Sequence, residues 1–274
     1  PEQIPWSEMG VDYVVESSGF FPQRQQLEKH LRAGARKVIL SCPAVDALDR
    51  TVILGVNDSL LTAEDRIVSN ASCTTNCLAP VLRLIDKAYG IDRAFMNTVH
   101  PFTNNQAIID APHKDLRRAR TAGVNMIPTT STAVEALFQV MPEMRGRFDG
   151  LAVRVPVHNG SLIELTALLK TQLTCEAVNA LLREASETDL QGILGYTEDP
   201  IVSSDIVGDP HSGIVDARCT KVLGGNYLQL IVWYDNETGY SSHAALSRAF
   251  RRLHRFHQLV FEPPRAGIAH AQQT

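Results

Sequence analysis

No apolar run in this 274-residue chain approaches the ~20 residues that a membrane-spanning helix needs. The N-terminus lacks the basic-then-apolar pattern of a secretory signal. Net charge is small: 26 Lys and Arg stand against 30 Asp and Glu, a balance of −4. That points to neither nucleic acid nor an anionic membrane as partner. Cysteine is sparse, with 5 at irregular spacing (42, 73, 77, 175 and 219). This argues against a disulfide framework and for a reducing, cytoplasmic compartment. Repeats and low-complexity tracts are absent. There is also no glycine-rich turn ahead of Cys73, since Gly10, Gly19, Gly34 and Gly55 are isolated. The chain starts at Pro1 and soon enters a strand pattern, and so reads as a fragment or a processed chain. What remains is an ordinary globular composition, 44% apolar and 20% charged, long enough for two domains.

The first seventy residues alternate strand and helix. "VDYVVES" (11–17), "RKVILS" (36–41), "TVILGV" (51–56) and "RIVSN" (66–70) read as buried strands, and "QRQQLEKHLRAG" (23–34) as a helix stopping at Gly34. Short connections between such units predict a parallel sheet with crossover helices. From Cys73 a helical pattern places Leu78, Val81, Leu82 and Ile85 on one face, with Gly90 past its end. A strand over 93–100 and a long polar loop over 101–128 follow; loops of that length are commonly functional. Helices near 131–141 and 174–187, and strands over 150–156, 161–170 and 226–235, complete an α+β region. The expectation is an α/β fold: an incomplete doubly wound, Rossmann-type domain (1–72), then an α+β catalytic domain (73–236). A C-terminal helix (237–256) returns to the first domain, and 257–274 has the composition of a disordered tail.

"SNASCTTNC" (69–77) places a thiol among hydroxyls and amides where a strand ends and a helix begins. A helix N-terminus lowers a thiol pKa and offers N–H groups to an oxyanion. The carboxyl edge of a parallel sheet is where ligands bind. Cys73 is therefore a candidate nucleophile; a small buried cysteine with capping neighbours is the alternative. His100, ending the strand "AFMNTVH", is a candidate base for it, or a loop histidine among 9. Arg154 interrupts the apolar strand "LAVRVP". An unpaired buried charge is costly, so it faces either an anionic ligand or an internal carboxylate. "HKDLRRAR" (113–120) holds phosphate, lines a subunit contact, or is a solvated turn. Cys73 and Cys77 form one pair without a second, which argues against structural zinc.

The stretch "SNASCTTNCLAP" (69–80) resembles the signature of the phosphorylating glyceraldehyde-3-phosphate dehydrogenases. The resemblance extends through "TVHPFTNNQ" (98–106), "PHKDLRRAR" (112–120), "IPTTST" (127–132), "VRVP" (153–156), "GILGYTEDPIVSSD" (192–205), "DPHSGIVDA" (209–217) and "WYDNETGY" (233–240). It implies that Cys73 is the nucleophile and His100 its base and acid. Thr103 and Arg154 hold the substrate phosphate, assisted by Arg118. Ser72, Thr74, Ser131 and Thr132, with Arg154 nearby, hold the attacking inorganic phosphate. Ser17, Ser18, Gly19 and Ser41 lie along the cofactor, and Asn236 with Tyr240 meets the nicotinamide. It further implies NAD as cofactor, with NADP possible because Ala111 precedes Pro112, a phosphorylated aldehyde and phosphate as substrates, no metal, no nucleic acid or membrane partner, and a homotetramer.

The sequence departs from that pattern at Ser131-Thr132 (usually Thr-Gly), "VPVHNGS" (usually "VPTP"), Asn105 (usually Asp) and Cys42 (usually Ala). The family's opening strand, glycine-rich turn, helix and acidic residue have no match. A catalytically incomplete fragment is thus an alternative reading, with no measurable NAD binding by calorimetry at millimolar cofactor as its expectation. Erythrose-4-phosphate dehydrogenase, which shares the nucleophile, and a Cys-His hydrolase are the others.

Overall fold

The computed structural model describes residues 1–243. Ahead of Cys73, four parallel strands stand in the order β1-β2-β4-β3: β1 (Tyr13–Glu16), β2 (Lys37–Leu40), β3 (Arg50–Thr51) and β4 (Ile67–Ser69). Helix α1 (Arg24–Arg32) connects β1 to β2. The Gln26 side chain closes its start by accepting the Gln23 N–H at 3.1 Å. Register aligns the strand ends, Glu16 with Leu40 and Leu40 with Ser69, so the residues that follow them emerge on one carboxyl edge.

The expected strand over 51–56 shrinks to Arg50–Thr51. The Asn57 side chain takes the Ile53 N–H (2.9 Å) and donates to the Thr51 carbonyl (2.8 Å), removing groups that a ladder would use. Val52 and Ile53 are buried in this turn rather than in a strand.

From Cys73 onward a seven-stranded mixed sheet forms in the order β6-β7-β5-β8-β11-β10-β9. Its strands are β5 (Ile91–Pro101), β6 (Ile127–Thr130), β7 (Phe148–Val155), β8 (Ser161–Leu169), β9 (Leu194–Thr197), β10 (Gly213–Leu223) and β11 (Tyr227–Tyr234). Helices α2 (Cys73–Tyr89), α3 (Ala133–Val140) and α4 (Cys175–Glu187) pack on one face. Strands β6, β9 and β10 have no counterpart among the sequence-predicted elements. α2 buries Leu78, Val81, Leu82 and Ile85 against the sheet, each contributing about 1.5–3 kcal/mol by area. It stops at Gly90, whose φ of 67° suits a residue without Cβ. α5 (Thr238–His243) is the described start of the expected C-terminal helix; the rest of that helix and the 257–274 tail lie outside the described residues. No helix among the described residues is long and apolar enough to cross a membrane.

Candidate active site

Cys73 is the first residue of α2, and Ser72 is its N-cap, accepting the Thr75 N–H at 3.1 Å. Ala71, just ahead, is fully buried with φ 55°, a left-handed conformation that a residue with a Cβ adopts only under constraint. Two bonds hold it there. Its N–H donates to Ser69 Oγ (3.0 Å), and its carbonyl accepts the Tyr240 hydroxyl (3.2 Å). The turn that results brings Cys73 Sγ to 3.6 Å from His100 Nε2.

His100 and Arg154 are direct register partners on β5 and β7. Arg154 Nη1 lies 2.6 Å from His100 Nδ1 and 2.9 Å from the Pro101 carbonyl. His100 Nδ1 also lies 2.8 Å from the Pro101 carbonyl, so Arg154 and that carbonyl hold one edge of the ring while Nε2 faces the thiol. Burial and the Arg154 charge push His100 down to about 3, keeping it neutral. Burial also raises the Cys73 thiol, partly offset by hydrogen bonds at Thr74 and by Arg154. This reverses the expectation of a lowered thiol: the helix N-terminus contributes, but desolvation outweighs it. Tyr234, 1% exposed, lies under the pair; its ring meets His100 edge-on at 6.0 Å.

No carboxylate pairs with Arg154 among the described residues, and its buried Nε has no hydrogen-bond partner. The internal ion pair anticipated as an alternative is therefore not what neutralises this charge. Of the other expected phosphate ligands, Arg118 is the one whose charge is felt at Arg154, and it also pairs with Asp115 at 3.4 Å. Arg118 donates from Nε to Thr129 Oγ1 at 2.8 Å on β6, which flanks β7, and its charge reaches Arg154. It is one of the better-buried cations in "HKDLRRAR", so that run is more than a solvated turn at this position. Thr103 donates its N–H (2.8 Å) and hydroxyl (3.2 Å) to Gln106 Oε1. Ser131 Oγ accepts the Ala133 N–H at 3.2 Å, and Thr132 is the N-cap of α3, which packs on α2. The Thr74 hydroxyl is turned inward to Tyr234 at 2.8 Å.

Residues 72–236 match the C-terminal domain of glyceraldehyde 3-phosphate dehydrogenase. Over 243 residues, 88% of this chain and 72% of the relative, the sequence is 49% identical to glyceraldehyde-3-phosphate dehydrogenase 2 of Streptomyces avermitilis. The same shares of each chain are matched at 50% identity in glyceraldehyde-3-phosphate dehydrogenase 1 of Bacillus subtilis and at 51% in the Priestia megaterium enzyme. The chain belongs to the glyceraldehyde-3-phosphate dehydrogenase family. It is an oxidoreductase of a family that uses a nicotinamide cofactor.

The residues present fit the nicotinamide end of such a cofactor for this glyceraldehyde-3-phosphate dehydrogenase homologue. Ser17, Ser18 and Gly19 leave the end of β1 exposed to solvent, and Ser41 leaves β2, its N–H bonded to the Glu16 carbonyl at 3.0 Å. At the end of β4, Asn70 is fully buried beside Tyr240, and both its amide atoms are without a close hydrogen-bond partner. Asn236 is 7% exposed and oriented by the Ser161 hydroxyl at 2.9 Å.

Several residues that shape this site escaped sequence reasoning. Asp235, 1% exposed, accepts N–H groups of Gly208 (2.7 Å), Glu237 (2.8 Å) and Thr238 (2.9 Å), and so fixes Asn236 beside it. Burial opposes its ionisation, yet these bonds keep its pKa below the usual value. The signal was present: an Asp just before a helix start is an N-cap pattern. Tyr234 and Gln106 had no such signal, because their partners are distant in sequence or lie in a loop. A Cβ on Gly239 would come within 2.5 Å of the His211 carbonyl, so the "DNETGY" turn packs on "DPHSG" only with glycine there.

Proposed function

We propose that this chain carries the catalytic part of an enzyme for phosphorylating oxidation of glyceraldehyde 3-phosphate, with NAD as the preferred cofactor and NADP tolerated once the cofactor's phosphate-binding turn is supplied. The observation that carries the reading is Arg154, a half-buried guanidinium near the thiol whose buried Nε has no hydrogen-bond partner and which pairs with no carboxylate among the described residues. The Cys73 thiolate adds to the aldehyde carbon, and the α2 N-terminal N–H groups stabilise the oxygen that gains charge. A bound nicotinamide supplies the hydride acceptor. His100 exchanges protons with the reacting oxygen, and inorganic phosphate attacks the resulting Cys73 thioester to release an acyl phosphate. Arg154, Thr103 and Arg118 hold the substrate phosphate. Ser72, the Thr74 backbone, Ser131 and Thr132 receive the attacking one. Asn236, Tyr240, Ser17, Ser18, Gly19 and Ser41 orient the cofactor. Thr103 supports glyceraldehyde 3-phosphate over erythrose 4-phosphate, and side-by-side assays of the two aldehydes decide.

In an enzyme completed with the family's glycine-rich turn, Arg154→Leu is expected to lower kcat/KM for glyceraldehyde 3-phosphate by one to two decades more than for unphosphorylated glyceraldehyde. That equals about 1.5–3 kcal/mol for a lost charge-assisted bond. Equal losses for both substrates reject the phosphate role. Among the described residues no glycine-rich turn follows a strand, so the 274-residue chain by itself is expected to show no NAD binding by calorimetry at millimolar cofactor; tight binding overturns this. A homotetramer in a reducing cytoplasm completes the proposal. It is supported by exposed Phe95 (60%) and Leu151 (46%) on the open face of the second sheet and by five free cysteines. Light scattering tests the subunit count.

A further inference from the structure

We propose that Glu16 is a positioning residue for the cofactor edge: held from behind by His30 and Trp6, its carboxylate sets the Ser17-Ser18-Gly19 turn in one shape before any ligand arrives. The inference rests on the reading of that turn as the place where the nicotinamide end of the cofactor lies, and extends it.

Glu16 ends β1 and is 6% exposed, whereas Ser17, Ser18 and Gly19 after it are exposed. A buried carboxylate is tolerated only when its oxygens are engaged, and here both are. Oε1 accepts the Ser18 N–H at 2.7 Å and also the Ser18 hydroxyl, while Oε2 accepts from His30 Nε2 at 3.0 Å. The Ser18 hydroxyl in turn accepts the Phe20 N–H at 3.2 Å. That bond closes the turn over Gly19, whose φ of 78° suits a residue without Cβ. Ordering a loose turn at the moment of binding costs affinity, and a turn fixed beforehand avoids that cost.

The direction of every bond is fixed from both ends. An indole nitrogen only donates, so Trp6 Nε1, 3.2 Å away, makes His30 Nδ1 the acceptor, and no other group bonds to Nδ1 among the described residues. The ring proton is therefore on Nε2, directed at Glu16. A backbone N–H also only donates, so Ser18 needs an acceptor at Oε1. Glu16 must offer two acceptor oxygens and no proton, which a carboxylate does and an amide cannot. Burial opposes that charge, yet the bonds from Ser18 and His30 hold the carboxyl below its ordinary value. The brace behind it is packed. His30, on α1, is 4% exposed, and the Trp6 ring lies 6.0 Å from its ring. The segment carrying Trp6 sits on the end of α1, where a Cβ on Gly34 would come within 2.6 Å of the Ser7 side chain.

Glu16→Gln tests this at nearly constant shape. Glutamine has one carbonyl oxygen for the two sets of donors. His30 is buried and cannot turn to water, whereas Ser18 is exposed and can, so the oxygen should stay with His30 and the Ser18 N–H should lose its partner. Amide hydrogen exchange of the present chain, read by NMR, should show Ser18 exchanging roughly tenfold faster than in wild type. Val38 and Ile39 on β2 should be unchanged, and ¹⁵N NMR of labelled histidine should still show His30 as Nε2–H. If the variant does not fold, wild type decides: its Ser18 amide should be roughly tenfold better protected than that of Gly19. In an enzyme completed with the family's glycine-rich turn, the same variant should raise KM for NAD about fivefold and leave KM for the aldehyde as it is. Ser18 exchange unmoved by the substitution, Ser18 no better protected than Gly19 in wild type, or equal acceleration at Val38 and Ile39 overturns the positioning role alone. Faster exchange confined to Ser18 with an unchanged KM for NAD overturns the reading of the turn as the cofactor edge, and the proposal with it.

Discussion

The two sheets of this molecule do different jobs with different amounts of core. The four-stranded sheet is stabilised by two small groups: Ile39, Val52, Leu61 and Val68 on one side, and Leu27, Val38, Leu40 and Ile67 on the other. The seven-stranded sheet shares one continuous core with α2, α3 and α4 that also takes in Ile53, Val56 and Ala71 from the first region. The first sheet offers a polar carboxyl edge from Ser17, Ser41 and Asn70. The second holds the reacting groups, each fixed by buried contacts. Chemistry that depends on a 2.6 Å contact belongs on the rigid side.

The largest effect should come from the thiol. Cys73→Ala is expected to abolish turnover in an enzyme completed with the glycine-rich turn, and in the present chain Cys73 should be alkylated faster than Cys42, Cys175 and Cys219. Mass spectrometry of partially labelled protein checks this; faster labelling at any of the other three removes Cys73 from its role and the chemistry from the second sheet.

The next effect separates the cores. Leu82→Ala, in the large core, should cost about 4–5 kcal/mol. Leu27→Ala, equally buried in a small group, should cost about 2–3 kcal/mol, because its surroundings can collapse into the gap. Urea unfolding of both variants measures the difference, and equal losses would erase the proposed contrast.

The two sheets should also differ in their acid windows. His100 has a folded pKa of about 3 against 6.5 unfolded, so the unfolded chain binds the proton first. Its contribution is complete above pH 6.5 and is lost as pH falls toward 3, by about 1.4 kcal/mol per unit. Glu16 in the first sheet works lower. Burial opposes its ionisation, but bonds from Ser18 and His30 bring its pKa below 4.5. Its contribution is therefore lost only as pH falls below 4.5. His100→Gln should flatten the stability profile between pH 6.5 and 4.5 and leave the lower limb. An unchanged upper limb refutes the assignment.

The smallest effect should come from Ala71→Gly. Relief of the φ 55° strain and the added freedom of the unfolded chain nearly cancel, so stability should move by less than about 1 kcal/mol. The Cys73 labelling rate should nonetheless fall, because the turn that aims it loosens. A labelling rate equal to wild type would show that the strained turn does not position the thiol.

Local chemistry made part of this legible in advance. The 73–89 helix and its Gly90 stop follow from periodicity and end signals within one segment, and the thiol's place at the helix start comes with them. Strands with clean apolar runs, such as 37–40 and 161–169, are equally local. The strand expected over 51–56 failed because one side chain, Asn57, outcompeted the ladder. β10 went unseen because "GIVDARCTKVL" mixes charged residues into an apolar run and breaks register between Asp216 and Lys221.

The sequence by itself determined the helix that presents Cys73, the alternation of strands and helices ahead of it, and the presence of one charge in an apolar strand. Only the tertiary structure decided what that charge touches. Pairing of β5 with β7 in one register sets Arg154 beside His100, and a slip of one residue would turn Arg154 to the opposite face. The burial that raises the thiol and keeps the imidazole neutral comes from the same assembly, since desolvation depends on everything packed around a group rather than on its neighbours in the chain.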